Sequence, residues 1–330
     1  MEKRKAVSLL SGGLDSALAT RIMLDQGIDI LGLHLSSPFG CHEDVAAVAT
    51  SLGIPLKIIP KDIAYLDLIR SPKYGYGKNM NPCIDCRIYM FQIAHNLMEE
   101  IGADFIVTGE VLGQRPMSQR RAAMEIIDED SGMEDLILRP LSAQHLPLTK
   151  PEREGWVARD QLLAISGRGR GEQLALASAL HLSGYTAPGG GCLLTDSNFS
   201  KKLALFFQTR TAPSMTEASL LRYGRFFNLN DKTFALLGRN EEENEKLEEI
   251  SREEVDRGRL AFLKPVFPGC SAVLSGDLSL PILNEVGQLI VRYSKKNGEE
   301  EGRIDVRVGH ANTSLSVSHD LSFELPVVVA

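Results

Sequence analysis

Short apolar runs alternate with longer mixed segments through the first 110 of the 330 residues. Four runs, at 5–10, 28–35, 55–59 and 104–108, have the length and apolar character of buried strands. Segments with helical patterns lie among them, at 14–26, 43–52 and 83–101, and glycine follows each one. This alternation predicts a parallel sheet with helices on both faces. Ligands of such sheets bind beyond the carboxyl ends of the strands, where residues 11–16 and 108–119 are expected.

The pattern changes after about residue 150. Residues 156–182 and 198–208 have helical patterns, and 210–216 read as a linker. From residue 218 onward, short strand-like runs and turns flank one charged helical segment, 241–254. We therefore expect an α/β protein with a parallel-sheet domain over residues 1–210 and a smaller α+β domain over 217–330.

Composition narrows the classes of function. The net charge of −7 excludes a uniformly basic nucleic-acid coat, but it leaves room for a local basic face. No stretch approaches the roughly 18 apolar residues of a membrane helix, and Gly12, Gly13 and Asp15 interrupt the apolar run near the start. A cytoplasmic protein without membrane contact is the expectation. Five cysteines are too few for a disulfide scaffold, which favours catalytic, redox or metal roles in a reducing compartment.

A glycine-containing loop follows the first predicted strand and opens the first predicted helix. Glycines permit a tight turn whose N–H groups surround phosphate oxygens, and the helix N-terminus adds partial positive charge. A carboxylate in this loop suits a phosphate-bound Mg²⁺. The alternative is an ordinary turn in which serine and aspartate cap the helix. The loop residues are Ser11, Gly12, Gly13, Leu14, Asp15 and Ser16.

The SGGLDS string of this loop resembles the signature SGGxDS of the PP-loop ATP pyrophosphatases, whose fold is of the adenine nucleotide alpha hydrolase type. Members of that family cleave ATP between the α and β phosphates and adenylate a carbonyl-type oxygen. The resemblance implies that residues 11–16 bind ATP with Mg²⁺ and that Asp15 is catalytic. It identifies the first half-reaction and not the acceptor.

Three cysteines form the second group of candidates. Cys83 and Cys86 fall on the first turn of a predicted helix, whose N-terminus stabilises thiolate, and Cys192 follows three glycines. Three interpretations are open: Cys83 and Cys86 are a structural pair, they are a CxxC redox pair, or the cysteines form a sulfur-handling or metal site. We favour the last. Three thiolates would hold a [4Fe–4S] cluster and leave one iron open. Without a metal, one cysteine would carry a persulfide and another would resolve it. Cys41, beside His42, is a further candidate ligand, whereas Cys270 is expected to be structural.

Two further segments bring the resemblance closer to tRNA-thiolating enzymes. NPCIDC (81–86) resembles the NPDxxC segment of bacterial tRNA 2-thiouridine synthases, with Cys83 in place of aspartate and Cys192 matching their second catalytic cysteine. That departure favours the three-cysteine, iron–sulfur type. TGEVLGQRPMSQ (108–119) and RPL (139–141) are similar to segments of tRNA 4-thiouridine synthases. This similarity implies that Gly109, Gln114 and Ser118 border the nucleotide and that Arg115 is available to phosphate.

The carboxyl-terminal part resembles the RNA-binding module of NFACT proteins, through Tyr223-Gly224-Arg225, a GRN turn and a YSK segment. The resemblance implies RNA contacts by a group of polar residues. They are Arg225, Arg239, Asn240, Arg292 and Lys295. Nearby aromatic residues are candidates for stacking on bases: Tyr223, Phe226, Phe227 and Tyr293. The alternative is that the aromatics are core residues and the cations are solvated.

Together these resemblances imply a tRNA sulfurtransferase that adenylates a uridine carbonyl and replaces its oxygen with sulfur. Its partners would be tRNA and a sulfur donor, either a cysteine desulfurase or free sulfide. Two other functions remain open at this stage. One is a PP-loop ligase that forms an amide on a small molecule, and the other is an RNA-binding protein without catalysis.

Overall fold

The computed structural model describes residues 3–40, 44–186, 191–294, 301–318 and 323–329. The chain divides into two compact units, residues 1–192 and 193–330. The strands and helices of the first unit are β1 (Lys5–Leu9), α1 (Leu14–Asp25), β2 (Asp29–Ser36), α2 (Val45–Leu52), β3 (Leu56–Pro60), α3 (Ile63–Arg70), α4 (Cys83–Ile101), β4 (Phe105–Thr108), α5 (Arg121–Asp130), β5 (Ile137–Leu138), α6 (Lys150–Arg153) and α7 (Gly171–Ala179).

The first unit is built on a five-stranded sheet in the order β3-β2-β1-β4-β5, and every pair of neighbours is parallel. Successive residues of β4 face opposite sides. Phe105 packs with Leu18 of α1, whereas Ile106 packs with Phe91 of α4. The predicted parallel sheet covered on both faces is therefore confirmed, because apolar strands buried on two sides need helices on two sides.

Helix boundaries follow local signals in the sequence. The range of α4 agrees with its predicted bounds, and Gly102 ends it in the left-handed conformation, with φ of 64°. The predicted helix over 156–182 is wrong for most of its length, and α7 is its only α-helical part. Leu163 and Ile165 instead donate backbone hydrogen bonds to Pro140 and Leu141, which keeps this part of the chain extended against the preceding loop.

The second unit is an antiparallel sheet with helices, in the strand order β11-β10-β8-β9-β7-β6-β12. This confirms the smaller α+β fold. Its elements are α8 (Ser197–Thr209), α9 (Met215–Leu220), β6 (Arg225–Asn230), β7 (Thr233–Leu237), α10 (Glu241–Asp256), β8 (Leu260–Pro265), β9 (Ala272–Ser275), α11 (Leu280–Tyr293), β10 (Glu301–Val308), β11 (Ala311–Ser318) and β12 (Val327–Val329).

The division between the units falls earlier than the sequence suggested. Helix α8 belongs to the second unit, because the Phe206 ring packs edge-on against Phe234 with 5.7 Å between centroids. Residues 210–216 are not a free linker. Arg210 Nε donates to Glu217 Oε1 at 2.8 Å, and Ser214 caps α9.

No helix in the described part of the chain has the length and apolar character to cross a membrane.

Candidate active site

The loop between β1 and α1 is held in shape by its own hydroxyl groups. Ser16 Oγ donates to the Gly13 carbonyl at 2.9 Å and accepts from Ser11 N at 3.2 Å. Gly12 has φ of 83°, a conformation that glycine adopts without strain. Leu14 is buried in the core and anchors the start of α1. The loop thus begins a helix with its backbone already folded.

The loop after β4 lies directly on this first loop. A Cβ atom built on Gly109 would lie 2.5 Å from the backbone nitrogen of Ser16, so only glycine permits this approach. Gln114 Nε2 donates to Asp15 Oδ2 at 2.7 Å. The structure therefore brings together two of the segments that the sequence singled out, at the carboxyl ends of the neighbouring strands β1 and β4.

Several polar atoms at this junction are buried without a hydrogen-bond partner. They include Asp15 Oδ1, Gln114 Oε1 and Gln119 Oε1, while the adjacent Ser118 is itself buried. Buried oxygens normally have partners, so these atoms fit a site that a ligand completes. Carboxylate and amide oxygens are ligands that Mg²⁺ prefers, and Asp15 and Gln114 therefore fit the expected ion.

Cys83 and Cys86 open α4 but have different surroundings. Cys83 Sγ donates to Asn81 Oδ1 at 3.0 Å, and burial raises the pKa of this thiol. Cys86 Sγ lies 3.3 Å from Lys61 Nζ and 3.6 Å from the Tyr65 hydroxyl. Burial opposes ionisation of Cys86, but the ammonium charge of Lys61 and the Tyr65 hydrogen bond outweigh it, and the pKa falls below its ordinary value. Cys86 is thus the better thiolate of the pair.

Cys192 belongs to the same neighbourhood. The pKa of Tyr65 is raised by burial first and then by the charges of Cys86, Cys192 and Cys83, so all three sulfurs lie within electrostatic range of one hydroxyl. The chain leading to Cys192 is attached to the first loop, because Thr186 N donates to the Gly12 carbonyl at 3.1 Å.

The three sulfurs do not form a ligand set for a metal. The residues that the structure describes include no group of three or more His, Cys, Asp or Glu side chains placed to hold a metal ion. The described residues therefore give no support to the expected [4Fe–4S] cluster, which stays a prediction. Cys41 and His42, the further candidates, lie outside the described residues.

A buried ionic network connects the loop after β4 to the thiol helix. Glu110, 1% exposed, contacts Arg139 Nε at 3.1 Å and Arg87 Nε at 3.3 Å, and Arg139 also pairs with Asp128. Arg87 directly follows Cys86. Arg115 is exposed on the loop, and its positive charge acts to lower the pKa of Cys83, although burial dominates there.

Sequence reasoning missed Lys61 and Tyr65. Lys61 follows β3 directly, so the rule that ligands bind beyond the carboxyl ends of strands was a signal for it. Tyr65 lies one turn further, within α3, and neither residue belongs to a motif that the sequence singled out.

In the second unit, several of the expected RNA-binding residues lie together at the open end of the β6–β7 hairpin, opposite its turn. Arg239 forms an ion pair with Glu243, which also accepts hydrogen bonds from the backbone of Gly224 and Arg239. Asn240 Oδ1 caps α10 by accepting from Glu243 N at 2.9 Å. Arg225 lies over the Tyr293 ring at 5.2 Å. The hairpin ends and the start of α10 thus hold these polar groups in fixed positions.

Lys202 of α8 adds a third cation to Arg225 and Arg239, and we call these three residues the cationic cluster. Lys202 Nζ donates to the Gly224 carbonyl at 2.6 Å. Burial, followed by the charge of Arg239, lowers the pKa of Lys202 to about 8. Two carboxylates, Glu243 and Asp196, act on Lys202 against the charges of Arg239 and Arg225, so three cations face two anions and the cluster is net positive.

Other expected RNA contacts fall elsewhere. Phe226 and Phe227 are fully buried, so their expected stacking on bases is wrong: Phe226 stacks on Phe234 and Phe227 packs against Tyr293. Arg292 is exposed and donates to the Phe323 carbonyl at 3.4 Å. Lys295 lies outside the described residues.

Fold and site together define the class of this protein: a parallel α/β nucleotide-binding domain with adjacent thiols, followed by an antiparallel domain with a cationic cluster. Residues 2–145 match the family described as "Thiamine biosynthesis protein (ThiI)", and residues 224–322 match "NFACT protein RNA binding domain". The first region is therefore similar to the ThiI family and the second to the NFACT RNA-binding domain. Use of ATP is consistent with the first of these families.

Curated relatives are similar over part of their length. A probable tRNA sulfurtransferase of Methanothermobacter thermautotrophicus is 34% identical over 119 residues, which are 33% of this chain and 30% of that protein. The tRNA-specific 2-thiouridylase MnmA of Acetivibrio thermocellus is 33% identical over 129 residues, 33% of this chain and 36% of its own. The matched region thus spans about a third of these relatives.

Among solved structures, a 4-thiouridine synthetase–RNA complex with bound ATP is 26% identical. The alignment covers 52% of this chain and 50% of that one, with a TM-score of 0.33.

Proposed function

We propose that this protein is an ATP-dependent tRNA sulfurtransferase, which adenylates a uridine carbonyl and replaces its oxygen with sulfur. One observation carries the proposal: the loop that carries Asp15 and the three sulfurs around Tyr65 belong to the same compact unit, and Thr186 hydrogen-bonds the chain leading to Cys192 to that loop. A nucleotide site alone would fit many ligases, but these would leave the thiols without a role.

The first half-reaction uses the two loops. ATP phosphates accept hydrogen bonds from the backbone N–H groups of 11–16 and from the Ser11 hydroxyl, while Gly109 and Ser118 border the nucleotide. Asp15 and Gln114 would hold Mg²⁺, which neutralises phosphate charge when bound. The uridine carbonyl oxygen attacks the α-phosphorus and pyrophosphate leaves. The base then carries AMP, a much better leaving group than the original oxygen.

The second half-reaction uses the cysteines without a metal. A donor leaves a persulfide on Cys192, and the Cys86 thiolate attacks the inner sulfur. A Cys86–Cys192 disulfide forms and hydrosulfide is released, which attacks the activated carbon and expels AMP. A thiol reductant returns the disulfide to two thiols with two electrons. The low pKa of Cys86 supports its role as the attacking group.

The RNA is held by the second unit and by the rim of the first. In this proposal Arg225, Arg239 and Arg292 contact phosphates, the buried Lys202 adds positive charge near Arg239, and Arg115 contacts phosphate near the thiols. Because a carbonyl within paired, stacked RNA is out of reach, the target base is taken out of the stack.

The deciding experiment supplies the full-length chain with ATP, unmodified tRNA and either sulfide or a cysteine desulfurase with cysteine. Thiouridine in digested tRNA is measured by mass spectrometry, and pyrophosphate and AMP are measured in parallel. We expect tRNA-dependent AMP formation coupled to thiouridine. With the desulfurase and cysteine as donor, Cys192→Ser should keep ATP–pyrophosphate exchange and lose thiouridine, with Cys270→Ser as the matched control. AMP formation that ignores tRNA would instead indicate the small-molecule ligase.

Anaerobic purification separates the two sulfur mechanisms. The metal-free mechanism predicts a colourless protein without stoichiometric iron or acid-labile sulfide that still forms thiouridine. A brown protein with about four irons, whose removal stops thiolation, would overturn it.

A further inference from the structure

Lys61 is a buried cation that forms no ion pair with a carboxylate among the described residues. Its side chain follows β3, and its backbone N–H donates to the Ser36 carbonyl at 2.9 Å. The residue is 7% exposed, and among the described residues no Asp or Glu oxygen lies within 4.0 Å of Nζ. A buried ammonium is costly unless an anion compensates it. The partner that the structure provides is sulfur, Cys86 Sγ at 3.3 Å.

Tyr65 completes the surroundings of that sulfur. Its ring lies beneath the Lys61 ammonium, with 4.0 Å from Nζ to the ring centroid, and its hydroxyl is 3.6 Å from Cys86 Sγ. The ring is held between Tyr89 and Phe39, at centroid distances of 5.5 and 6.3 Å. Because its pKa is raised, the hydroxyl keeps its proton and is available as a donor. An ammonium and a hydroxyl thus converge on one sulfur inside the protein.

We infer that Lys61 and Tyr65 form a binding site for a sulfur anion, which retains the hydrosulfide released in the Cys86–Cys192 exchange until it attacks the adenylated base. This rests on the proposed function and deepens it by naming the anionic form in which sulfur is handled. Cys86 thiolate attacks the inner sulfur of the Cys192 persulfide, the S–S bond to the outer sulfur breaks, and the outer sulfur leaves as HS⁻. Once Cys86 is neutral in the disulfide, the Lys61 ammonium no longer has an anion at Cys86, and it attracts HS⁻ instead. Lys61 and Tyr65 are positioning residues in this step.

The test compares Lys61→Met, which removes the charge at similar length, with Lys61→Arg, which keeps it. Lys57→Met is the matched control, because Lys57 lies on β3, four residues before Lys61, and pairs with exposed Glu100. With sulfide as donor, we expect Lys61→Met to raise the KM for sulfide at least about tenfold and to leave ATP–pyrophosphate exchange unchanged. Lys61→Arg should recover most of the loss, and Tyr65→Phe should give a smaller increase.

The sulfur anion has two possible sources, HS⁻ released inside the protein and free sulfide from solution, and changing the sulfur donor distinguishes them. If the site only retains HS⁻ released inside the protein, Lys61→Met lowers kcat with desulfurase and cysteine and leaves the KM for free sulfide normal. If the site also captures free sulfide, Lys61→Met both lowers kcat with the desulfurase and raises the KM for free sulfide. Unchanged kinetics with both donors in Lys61→Met would overturn the inference, as would a loss that Lys57→Met reproduces.

A binding measurement keeps this inference separate from the proposed function. Under anaerobic, reducing conditions, saturating sulfide should raise the Tm of the wild-type protein by about 3 °C and should not raise that of Lys61→Met. If no tRNA is thiolated but this shift is present, the proposed function fails and the anion site stands. If tRNA is thiolated but both proteins shift equally, the anion site fails and the function stands.

Discussion

The two units hold their candidate residues in opposite ways. In the first unit, polar groups come from loops at the ends of parallel strands, and several buried oxygens, including Asp15 Oδ1 and Gln114 Oε1, have no partner. In the second unit, the cations already have partners: Arg239 pairs with Glu243 and Lys202 bonds the Gly224 carbonyl. In the proposed function a small ligand completes the first arrangement, whereas the second holds its cations in place before RNA binds.

This difference sets the size of the effects to expect. A group in a buried site acts in a low dielectric, where one hydrogen bond or charge is worth several kcal/mol in a transition state. A cation at a surface is screened by salt, and its loss is shared among other phosphate contacts. Substitutions in the first unit should therefore change rates by orders of magnitude, and those in the second should change RNA affinity by small factors.

The largest effect is expected for Asp15→Ala. Removing this carboxylate takes away both the Gln114 partner and the oxygen that would hold the metal, so ATP–pyrophosphate exchange should fall about 1,000-fold or more. Asp25→Ala is the control, because Asp25 lies on the same helix in an exposed pair with Arg21. Exchange within tenfold of wild type would mean that Asp15 has no direct part in the chemistry.

Gly109→Ala should have the next largest effect. The added Cβ would meet the backbone of Asp15 and Ser16 at 2.5 Å, so one loop must move. We expect ATP–pyrophosphate exchange to fall between about 10- and 100-fold, with a loss of about 1–3 kcal/mol in the free energy of unfolding. Gly171→Ala is the control, since its Cβ would meet nothing within 4 Å. Equal behaviour of the two variants would show that the contact between the loops is dispensable.

Arg225→Ala tests the second unit. Loss of one phosphate contact should weaken tRNA binding about five- to tenfold and reduce the slope of log affinity against log salt by about one, with ATP–pyrophosphate exchange unaffected. Arg303→Ala, an exposed arginine of β10 in the same unit, is the control. Filter binding at several salt concentrations measures both quantities. An unchanged salt slope would remove Arg225 from the interface.

The smallest effect concerns the pH dependence of RNA binding. Because the pKa of Lys202 is about 8, the cationic cluster loses one charge between pH 7 and 9, and tRNA affinity should fall about threefold over that range. Lys202→Met should bind more weakly at pH 7 and lack this step. A fall in tRNA affinity of equal size in the wild type and in Lys202→Met would assign this pH dependence to another group.

The lowered pKa of Lys202 also affects folding stability. Because the unfolded state binds more protons between pH 8 and 10.5, this residue should increase the free energy of unfolding as pH rises through that range.

The sequence was most informative where one local pattern determines the structure. Buried strands and the capped helix α4 follow from apolar runs and from Gly102. The strand-end rule placed Asp15 near the segment that carries Gly109 and Gln114, although it gave no distance. The same rule was a signal for Lys61, which follows β3, but it could not pair Lys61 with Cys86, because the two residues meet only when the domain has folded.

Elsewhere, long-range packing overrode the local pattern. Phe226 and Phe227 follow each other on β6 and so face opposite sides of the sheet, and helix α8 on one side and α11 on the other bury them both. Residues 156–182 have a helical pattern that glycines interrupt at 167–171, and only the part from Gly171 onward forms an α-helix. Backbone bonds from Leu163 and Ile165 to another loop prevent a helix in the earlier part, and these cannot be read from spacing.

The hydrogen bond from Thr186 to Gly12 limits how far Cys192 lies from the loop between β1 and α1. Cys192 comes six residues after this anchor, and six extended residues span at most about 22 Å. While the hydrogen bond holds, the Cys192 backbone therefore stays within that reach of the loop that carries Gly12. In the proposed function, the sulfur donor must then deliver its sulfur at the first unit, within reach of this loop.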